Sequence, residues 1–145
     1  MNSKEKIIVG AIEECGLPEF GIENLPVRID TGAKTSSLHV DGIKQFRRDG
    51  SPWVSFNIHP NVHNVEETIA CEAKVHDIRT IKSSNGSSDE RFIVKTTLKL
   101  GEHSWTIQLS LTDRSEMTYL MLLGRQGMGR RILVDPSETF LVQNN

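Results

Sequence analysis

The sequence lacks the features that mark membrane-spanning, nucleic-acid-binding and exported proteins. Only 6% of its 145 residues are aromatic, and no apolar run approaches the ~18 residues that a membrane-spanning helix needs. Lys and Arg number 17 against 19 Asp and Glu, so the formal net charge of −2 offers no basic excess for nucleic acid. Nothing resembles an export signal. We therefore expect one globular domain, residues 1–145, in the cytoplasm, with neither membrane nor nucleic acid as a partner.

Several signatures of catalytic and cofactor chemistry are also missing. The chain has no Gly-x-Ser-x-Gly nucleophile elbow and no Gly-x-x-x-x-Gly-Lys phosphate loop. His59 and His63 are four residues apart, but Pro60 follows His59, so the helical motif His-Glu-x-x-His is absent. We expect no cofactor and no catalytic metal. A zinc-dependent hydrolase remains the weaker alternative, since His39, Asp30 and a distant histidine could still form a site.

Both cysteines are expected to be unpaired. Cys15 and Cys71 lie far apart in the sequence and match no metal-binding spacing. Spacing alone leaves a disulfide open, but in a cytoplasmic chain buried free thiols are the favoured interpretation.

Alternation of apolar and polar residues predicts a protein built mostly of β-strands. The clearest case runs from Trp105 to Leu111, and it follows a strand at 92–100 across a turn at Gly101–His103. A helix is expected to begin near Arg125, and the glycines in this segment should keep it short. Many strands with one short helix favour a small closed barrel. The other expected strands lie around 7–12, 38–43, 54–58, 75–81 and 140–142, and the strand at 38–43 is expected to bend at Asp41-Gly42.

The most informative motif is Asp30-Thr31-Gly32, which follows an apolar strand and has a counterpart downstream in Met121–Arg125, Met-Leu-Leu-Gly-Arg. Aspartic peptidases present a carboxylate on a tight turn, where two carboxylates share a proton and activate water. Asp30 is thus the predicted catalytic residue; Thr31 would brace the turn by hydrogen bonding and Gly32 would permit it. An ordinary turn that caps backbone amides is the alternative. A single motif requires a homodimer, or a monomer in which Asp30 acts with a polar neighbour such as Lys34.

Longer blocks around these motifs carry a family resemblance. They read IDTGAKTSSLH at 29–39, KSSNG at 82–86 with Glu90-Arg91, LTDRS at 111–115, MLLGR at 121–125 and ILVDP at 132–136. In this order they resemble the signature of the retropepsin-like family that has been labelled ATP-dependent zinc proteases, over residues 5–142. The resemblance implies an all-β, acid-protease-like closed barrel. It also implies a functional link to ATP-grasp ligases, which add glutamate tails to a ribosomal protein. One branch of the family is understood to trim such tails.

If the substrate is a glutamate tail, cations should line the cleft. Lys34 stands where retroviral peptidases usually have an acidic residue, so it could contact substrate or favour the ionised form of Asp30. A hairpin near residues 81–92 is expected to cover the site as a flap, although an ordinary exposed loop would look the same. Arg125 is assigned to structure, with Asp113 or Asp135 as its ion-pair partner. The predicted substrate-binding residues are Lys34, His39, Arg79, Lys82, Ser83, Ser84 and Arg91.

Together these features predict a peptidase of the aspartic, retropepsin-like type that hydrolyses glutamate-rich tails. The competing hypothesis from another class is a non-catalytic module that binds acidic peptides or the ligase itself, because a fold does not fix a function.

Overall fold

The computed structural model describes residues 6–60, 67–82, 86, 88–113 and 119–142, and most of these residues lie in β-strands. The strands are β1 Ile7–Val9, β2 Ile12–Leu17, β3 Ile22–Ile29, β4 Ser36–His39, β5 Asp41–Arg48, β6 Ser51–Ile58, β7 Ile69–Lys82, β8 Ser88–Leu100, β9 His103–Thr112, β10 Met121–Leu123 and β11 Ile132–Val134. Within these ranges the helical segments are one turn of 3₁₀ helix, Pro18–Phe20, and the helix α1, Arg125–Met128. None of the described helices is long and apolar enough to cross a membrane.

Six of the strands close into a barrel. They follow the order β2-β3-β10-β4-β9-β8, and a pairing of Gly16 with Lys99 joins β8 back to β2. Strands β7, β6 and β5 continue the same sheet outward from β8, while β1 and β11 form a separate parallel pair. The predicted all-β closed barrel with a short helix is therefore confirmed.

Alternation along β8 and β9 fills the barrel. Leu98, Leu100, Ile107 and Leu109 are fully or almost fully buried, and they lie on the same face of this antiparallel pair. Gly101 makes the connecting turn with a φ of 62°, a conformation that favours glycine. Burying these side chains removes apolar surface from water, which is the dominant favourable contribution to folding.

The cysteines are free and buried, as predicted. Burial raises the pKa of the Cys15 thiol to about 12 and also raises that of Cys71. Because the thiolate is the reactive form, both are inert side chains of the core at neutral pH.

Two of the expected strands are divided differently. The segment 7–12 contains the whole of β1 and the first residue of β2, because the strands are interrupted at Gly10 and Ala11. Likewise the segment 38–43 passes from β4 to β5 at Val40, and the register of β5 then shifts near Gly42, where φ is 63°. The bend expected at Asp41-Gly42 corresponds to this register shift, whereas the alternation did not indicate the break at Gly10 and Ala11.

The predicted last strand at 140–142 is wrong. Phe140 adopts a φ of 53°, outside the extended region, and the segment joins no sheet. Its backbone is anchored instead by Glu13, a fully buried residue of β2. The Glu13 carboxylate accepts hydrogen bonds from the N–H groups of Leu141 at 2.9 Å and Val142 at 3.0 Å, and from Gly10 at 2.7 Å. A buried carboxylate thus replaces the strand partner that the apolar pattern had predicted.

We expect Glu13→Gln to destabilise the protein by about 2–4 kcal/mol, because an amide retains one acceptor oxygen and leaves a buried N–H unpaired. Urea unfolding monitored by circular dichroism measures the change. Glu14→Gln, at the neighbouring half-buried position of the same strand, is the control and should change stability little. Equal midpoints for the two variants would contradict a structural role for the Glu13 carboxylate.

Candidate active site

Asp30 lies at the start of the turn that joins β3 to β4. Its backbone N–H donates to the Leu123 carbonyl at 2.9 Å, which fixes the end of β3 against β10. Its carboxylate oxygen Oδ1 accepts the N–H of Gly32 at 3.0 Å, while Oδ2 makes no hydrogen bond to any part of the chain that the structure describes. Asp30 is half-buried, and Thr31 and Gly32 are exposed. The turn therefore holds the carboxylate in a defined position at the protein surface.

Strand β10 and the residues after it hold this turn in place. β10 lies between β3, to which it is parallel, and β4, to which it is antiparallel. Beyond β10, Arg125 N–H donates to the Ala33 carbonyl and Gln126 N–H to the Lys34 carbonyl, both at 2.8 Å. A Cβ on Gly124 would lie 2.8 Å from the carbonyl carbon of Thr35, so a larger residue would displace the turn. This contact explains why a glycine follows Leu122-Leu123.

Two side chains add to this contact in ways that differ from expectation. Arg125 has a structural position, but it donates from Nη1 to the Thr31 carbonyl at 3.0 Å and not to Asp113 or Asp135. The Asp135 carboxylate accepts the hydroxyl and the N–H of Ser137, which lower its pKa. The Thr31 side chain, expected to brace the turn, makes no hydrogen bond within the described residues; its carbonyl provides the brace instead.

Arg79 of β7 reaches the same region. Its guanidinium donates from Nε to Asp77 Oδ2 at 2.9 Å, from Nη2 to Gln108 Oε1 at 3.1 Å and, in a long contact of 3.4 Å, from Nη1 to Thr35 Oγ1. The hydrogen bond from Arg79, followed by that from the Ile78 N–H, lowers the pKa of Asp77, so this carboxylate stays ionised at neutral pH. An arginine has five N–H donors, and these three bonds leave two of them for a ligand.

A second link ties this arginine network to α1. The backbone N–H of Gln108 donates to Gln126 Oε1 at 3.1 Å, and Gln126 itself is bonded to the turn through the Lys34 carbonyl. The side chain of Arg79 is thus connected to the end of the turn, directly at Thr35 and through Gln108 and Gln126 at Lys34. The arrangement places a cation with unused donors beside the turn that carries the carboxylate.

The remaining predicted substrate-binding residues are distributed around this region. Lys34 projects an exposed side chain from the turn, and Arg91 of β8 lies directly opposite Arg79 of β7. His39 lies at the other end of β4 from the turn, where its N–H donates to the Leu120 carbonyl. The structure therefore brings Arg79 and Lys34 to the turn and leaves His39 farther along the barrel.

The predicted flap corresponds to the β7–β8 hairpin. Thr80 pairs with Glu90 and Lys82 with Ser88, so the two strands run together to the ends of the described segment. Ser83 and Ser84, and the side chain of Lys82, lie outside the described residues.

Sequence reasoning missed three residues of the site. Ser36 Oγ, fully buried, accepts the Gly124 N–H at 3.0 Å, and Gln108 and Gln126 link Arg79 to the turn. Only a weak sequence signal pointed to Gln108: it is a polar residue within a strand, and its side chain is half-buried. Nothing in the spacing of Gln126 marked it, because its role depends on how α1 lies against β9.

His59, one of the two histidines whose spacing was considered for zinc, has partners outside the region of Asp30. His59 Nε2 lies 2.7 Å from Asp41 Oδ2 and its Nδ1 lies 3.2 Å from Thr68 Oγ1, at the start of β5 and the end of β6. No cluster of three His, Cys, Asp or Glu side chains suited to a metal ion occurs among the residues with described positions.

A closed barrel that presents an aspartate on a glycine-containing turn, held by a Leu-Leu-Gly strand end, defines a domain of the acid-protease-like, retropepsin-like class. The profile of the RimB-like family, described as retropepsin-like aspartic endopeptidase RimB, matches residues 8–145. The chain belongs to this family. The resemblance read from the sequence motifs is thereby confirmed.

Individual relatives agree with this assignment. The chain is 46% identical over 138 residues to a protein of Shewanella halifaxensis (strain HAW-EB4) named probable alpha-L-glutamate ligase. A protein of the same name from Desulfotalea psychrophila is 45% identical over 132 residues. These alignments cover 95% and 91% of the chain but 30% and 28% of the relatives, so the chain spans less than a third of their length. A crystal structure of a Legionella pneumophila protein of unknown function has a TM-score of 0.76 at 29% identity, covering 92% of this chain and 96% of that one.

We expect Ser36→Ala to destabilise the protein by about 1–3 kcal/mol, because it leaves the buried Gly124 N–H without an acceptor. Ser110→Ala is a matched control: Ser110 lies in β9 opposite Ser37 of β4, and its buried hydroxyl has no partner among the described residues. Removing that hydroxyl should leave stability unchanged or raise it. Thermal unfolding of both variants tests the pair, and a larger loss for Ser110→Ala would contradict the assigned contacts.

Proposed function

We propose that this protein is an aspartic-type peptidase that uses Asp30 to hydrolyse glutamate-rich tails, of the kind that an ATP-grasp ligase adds to a ribosomal protein. One observation carries the proposal: the Asp30 carboxylate is fixed on a surface turn, with one oxygen bonded to the Gly32 N–H and the other available to a ligand. The substrate so named would place the activity in the cytoplasm.

The reaction requires a base and an acid on opposite sides of the scissile bond. One carboxylate accepts a proton from water as the water attacks the carbonyl carbon, and a protonated carboxyl group donates to the carbonyl oxygen. The tetrahedral intermediate then breaks the C–N bond as the leaving amine takes up a proton. A homodimer would supply both groups as Asp30 and its symmetry mate, and the exposure of Thr31 and Gly32 leaves the turn accessible to a second copy.

A monomeric version would use Asp30 with Lys34. The Lys34 ammonium could stabilise the developing oxyanion, since its side chain projects from the same turn. It cannot replace the second carboxylate as a proton-sharing partner. The dimer therefore accounts for more of the chemistry, and the sedimentation behaviour of the active species distinguishes the two versions.

The preference for acidic tails rests on charge and on the relatives. Arg79 offers two unused N–H donors beside the turn, and a guanidinium can bind a carboxylate in a bidentate geometry. The relatives that contain this domain within a longer chain are named as glutamate ligases. We infer that the protein works on the product of such a ligase, either as a separate chain or in association with it.

Asp30→Asn should abolish glutamate release from a synthetic peptide ending in six α-linked glutamates, with a loss of at least about 10³-fold, because an amide can neither accept the proton nor share one. Asp49→Asn, in the exposed β5–β6 turn, is the control and should keep wild-type activity. Release is measured by mass spectrometry, with and without a chelator.

Three outcomes of this assay would contradict the proposal. Full activity of Asp30→Asn would exclude an Asp30-dependent mechanism. Loss of wild-type activity with chelator and its recovery with zinc would favour the metal-dependent hydrolase. Binding of the peptide with no release by the wild type would favour the non-catalytic module.

Arg79→Gln should raise KM for the glutamate-tailed peptide about ten- to a hundredfold with a smaller change in kcat, because a charge-assisted hydrogen bond to substrate is lost. A peptide ending in glutamines should lose much less. Arg47→Gln is the matched control, since Arg47 is an exposed arginine of β5 bonded to the Gly50 carbonyl. An equal effect on both peptides would show that Arg79 supports the turn and does not select acidic substrates.

A further inference from the structure

The face of the sheet that carries Arg79 continues away from the turn. Residues paired across antiparallel strands project to the same face, as do alternate residues along one strand. Arg79 of β7 is paired with Arg91 of β8, and Lys95, four residues farther along β8, is on the same face as Arg91. Lys95 is in turn paired with Gln108, whose side chain contacts Arg79. Lys95 and the Arg79 network therefore share one surface.

This surface leads into a cavity of about 610 Å³ that is separate from the Asp30 turn. The cavity lies over β6, β7 and β8, where Trp53 is paired with Lys74. Its lining includes the apolar rings of Phe20 and Trp53, the cationic or basic side chains of Lys74, His76 and Lys95, and two acidic residues, Glu19 and Glu72.

The acidic side chains of this cavity have hydrogen-bond or ion-pair partners, whereas its two lysines have none among the described residues. Glu72 is paired with Arg48 at 2.7 Å, and Glu19 Oε1 accepts the hydroxyl and N–H of Thr97 at 2.6 and 3.0 Å. Lys74 and Lys95, in contrast, have no ion pair or hydrogen-bond partner within the described part of the chain, although both line the same cavity on adjacent strands. Like charges on neighbouring strands repel, so this arrangement favours an anion between them.

We propose that the cavity is a second binding site for anionic peptide, in which Lys74 and Lys95 bind carboxylates of an acidic tail whose other end lies at the Asp30 turn. This proposal rests on the proposed function for the identity of the tail. The role proposed for the cavity is binding only.

The register gives the length of tail that the second site requires. Four residues along β8 separate Arg91 from Lys95, which corresponds to about 13 Å. An extended peptide advances roughly 3.3–3.6 Å per residue, so about four glutamates are needed to reach from Arg91 to Lys95. A tail of two glutamates spans about 7 Å and cannot contact both of these side chains.

The test measures binding with the protein carrying Asp30→Asn, so that substrate remains intact. Isothermal titration calorimetry with hexaglutamate, diglutamate and hexaglutamine is compared between this protein and a version that adds Lys74→Gln and Lys95→Gln. The expected result is a rise in Kd for hexaglutamate of about five- to tenfold with diglutamate unchanged, because two exposed charge interactions are lost. Lys44→Gln with Lys99→Gln gives the same change in net charge at exposed lysines outside the cavity, and it should leave Kd unaltered.

An unchanged Kd for hexaglutamate in the Lys74 and Lys95 variant would overturn the second site, as would an equal rise in the control variant. Charge reversal, Lys74→Glu with Lys95→Glu, should weaken hexaglutamate binding further and serves as an independent check. The two proposals fail separately. Lysine-dependent binding without glutamate release by the wild type would reject the peptidase and keep the site, whereas Asp30-dependent release with lysine-independent binding would do the reverse.

Discussion

The site depends on one contact between two distant parts of the chain, the turn at residues 30–35 and the residues that follow β10. β10 enters the barrel between β3 and β4, so the strand before the turn and the strand after it are both paired with the same short segment. At the end of that segment Gly124 lies against the carbonyl of Thr35, and the next two residues donate their N–H groups to the turn. Because the closed barrel fixes both strands, the position of the Asp30 carboxylate follows from the packing of the core and not from the local preference of the turn.

Much of this arrangement could be predicted from the sequence, and the reason is physical. The alternation in Trp105–Leu111 indicates which side of the strand is buried. A glycine at a tight backbone contact cannot be replaced, so its presence in the sequence indicates such a contact. Ser36, Gln108 and Gln126 left no comparable signal, because a polar side chain that bonds to a distant backbone has the same sequence pattern as one that faces water. The strand predicted at 140–142 failed for the same reason: its apolar residues favoured a strand, but the Phe140 N–H donates to the Ile12 carbonyl and the next two N–H groups donate to the Glu13 carboxylate.

The arginine network shows how a charged side chain is made specific. Arg79 is held by Asp77, Gln108 and Thr35. Its long side chain therefore loses conformational entropy when the protein folds and loses little more when a ligand binds. On the proposed function, its two remaining donors would meet a substrate carboxylate from a fixed direction. Lys34 and Lys95 are exposed, and each carries a mobile point charge. An arginine of this kind discriminates by geometry, whereas the lysines respond mainly to the number of negative charges nearby.

Net charge explains how such a surface could select acidic peptides without attracting every polyanion. The chain as a whole carries −2, so at separations beyond the screening length of roughly 8–10 Å a nucleic acid meets no attractive field. Attraction arises only at short range, where a ligand's carboxylates approach Arg79, Arg91 and the lysines of the cavity individually. A flexible peptide with a charge on every residue can follow that path along β8, because its spacing matches that of a strand. On the proposed function, the slightly acidic composition, from which no nucleic-acid partner is expected, thus contributes to substrate selection.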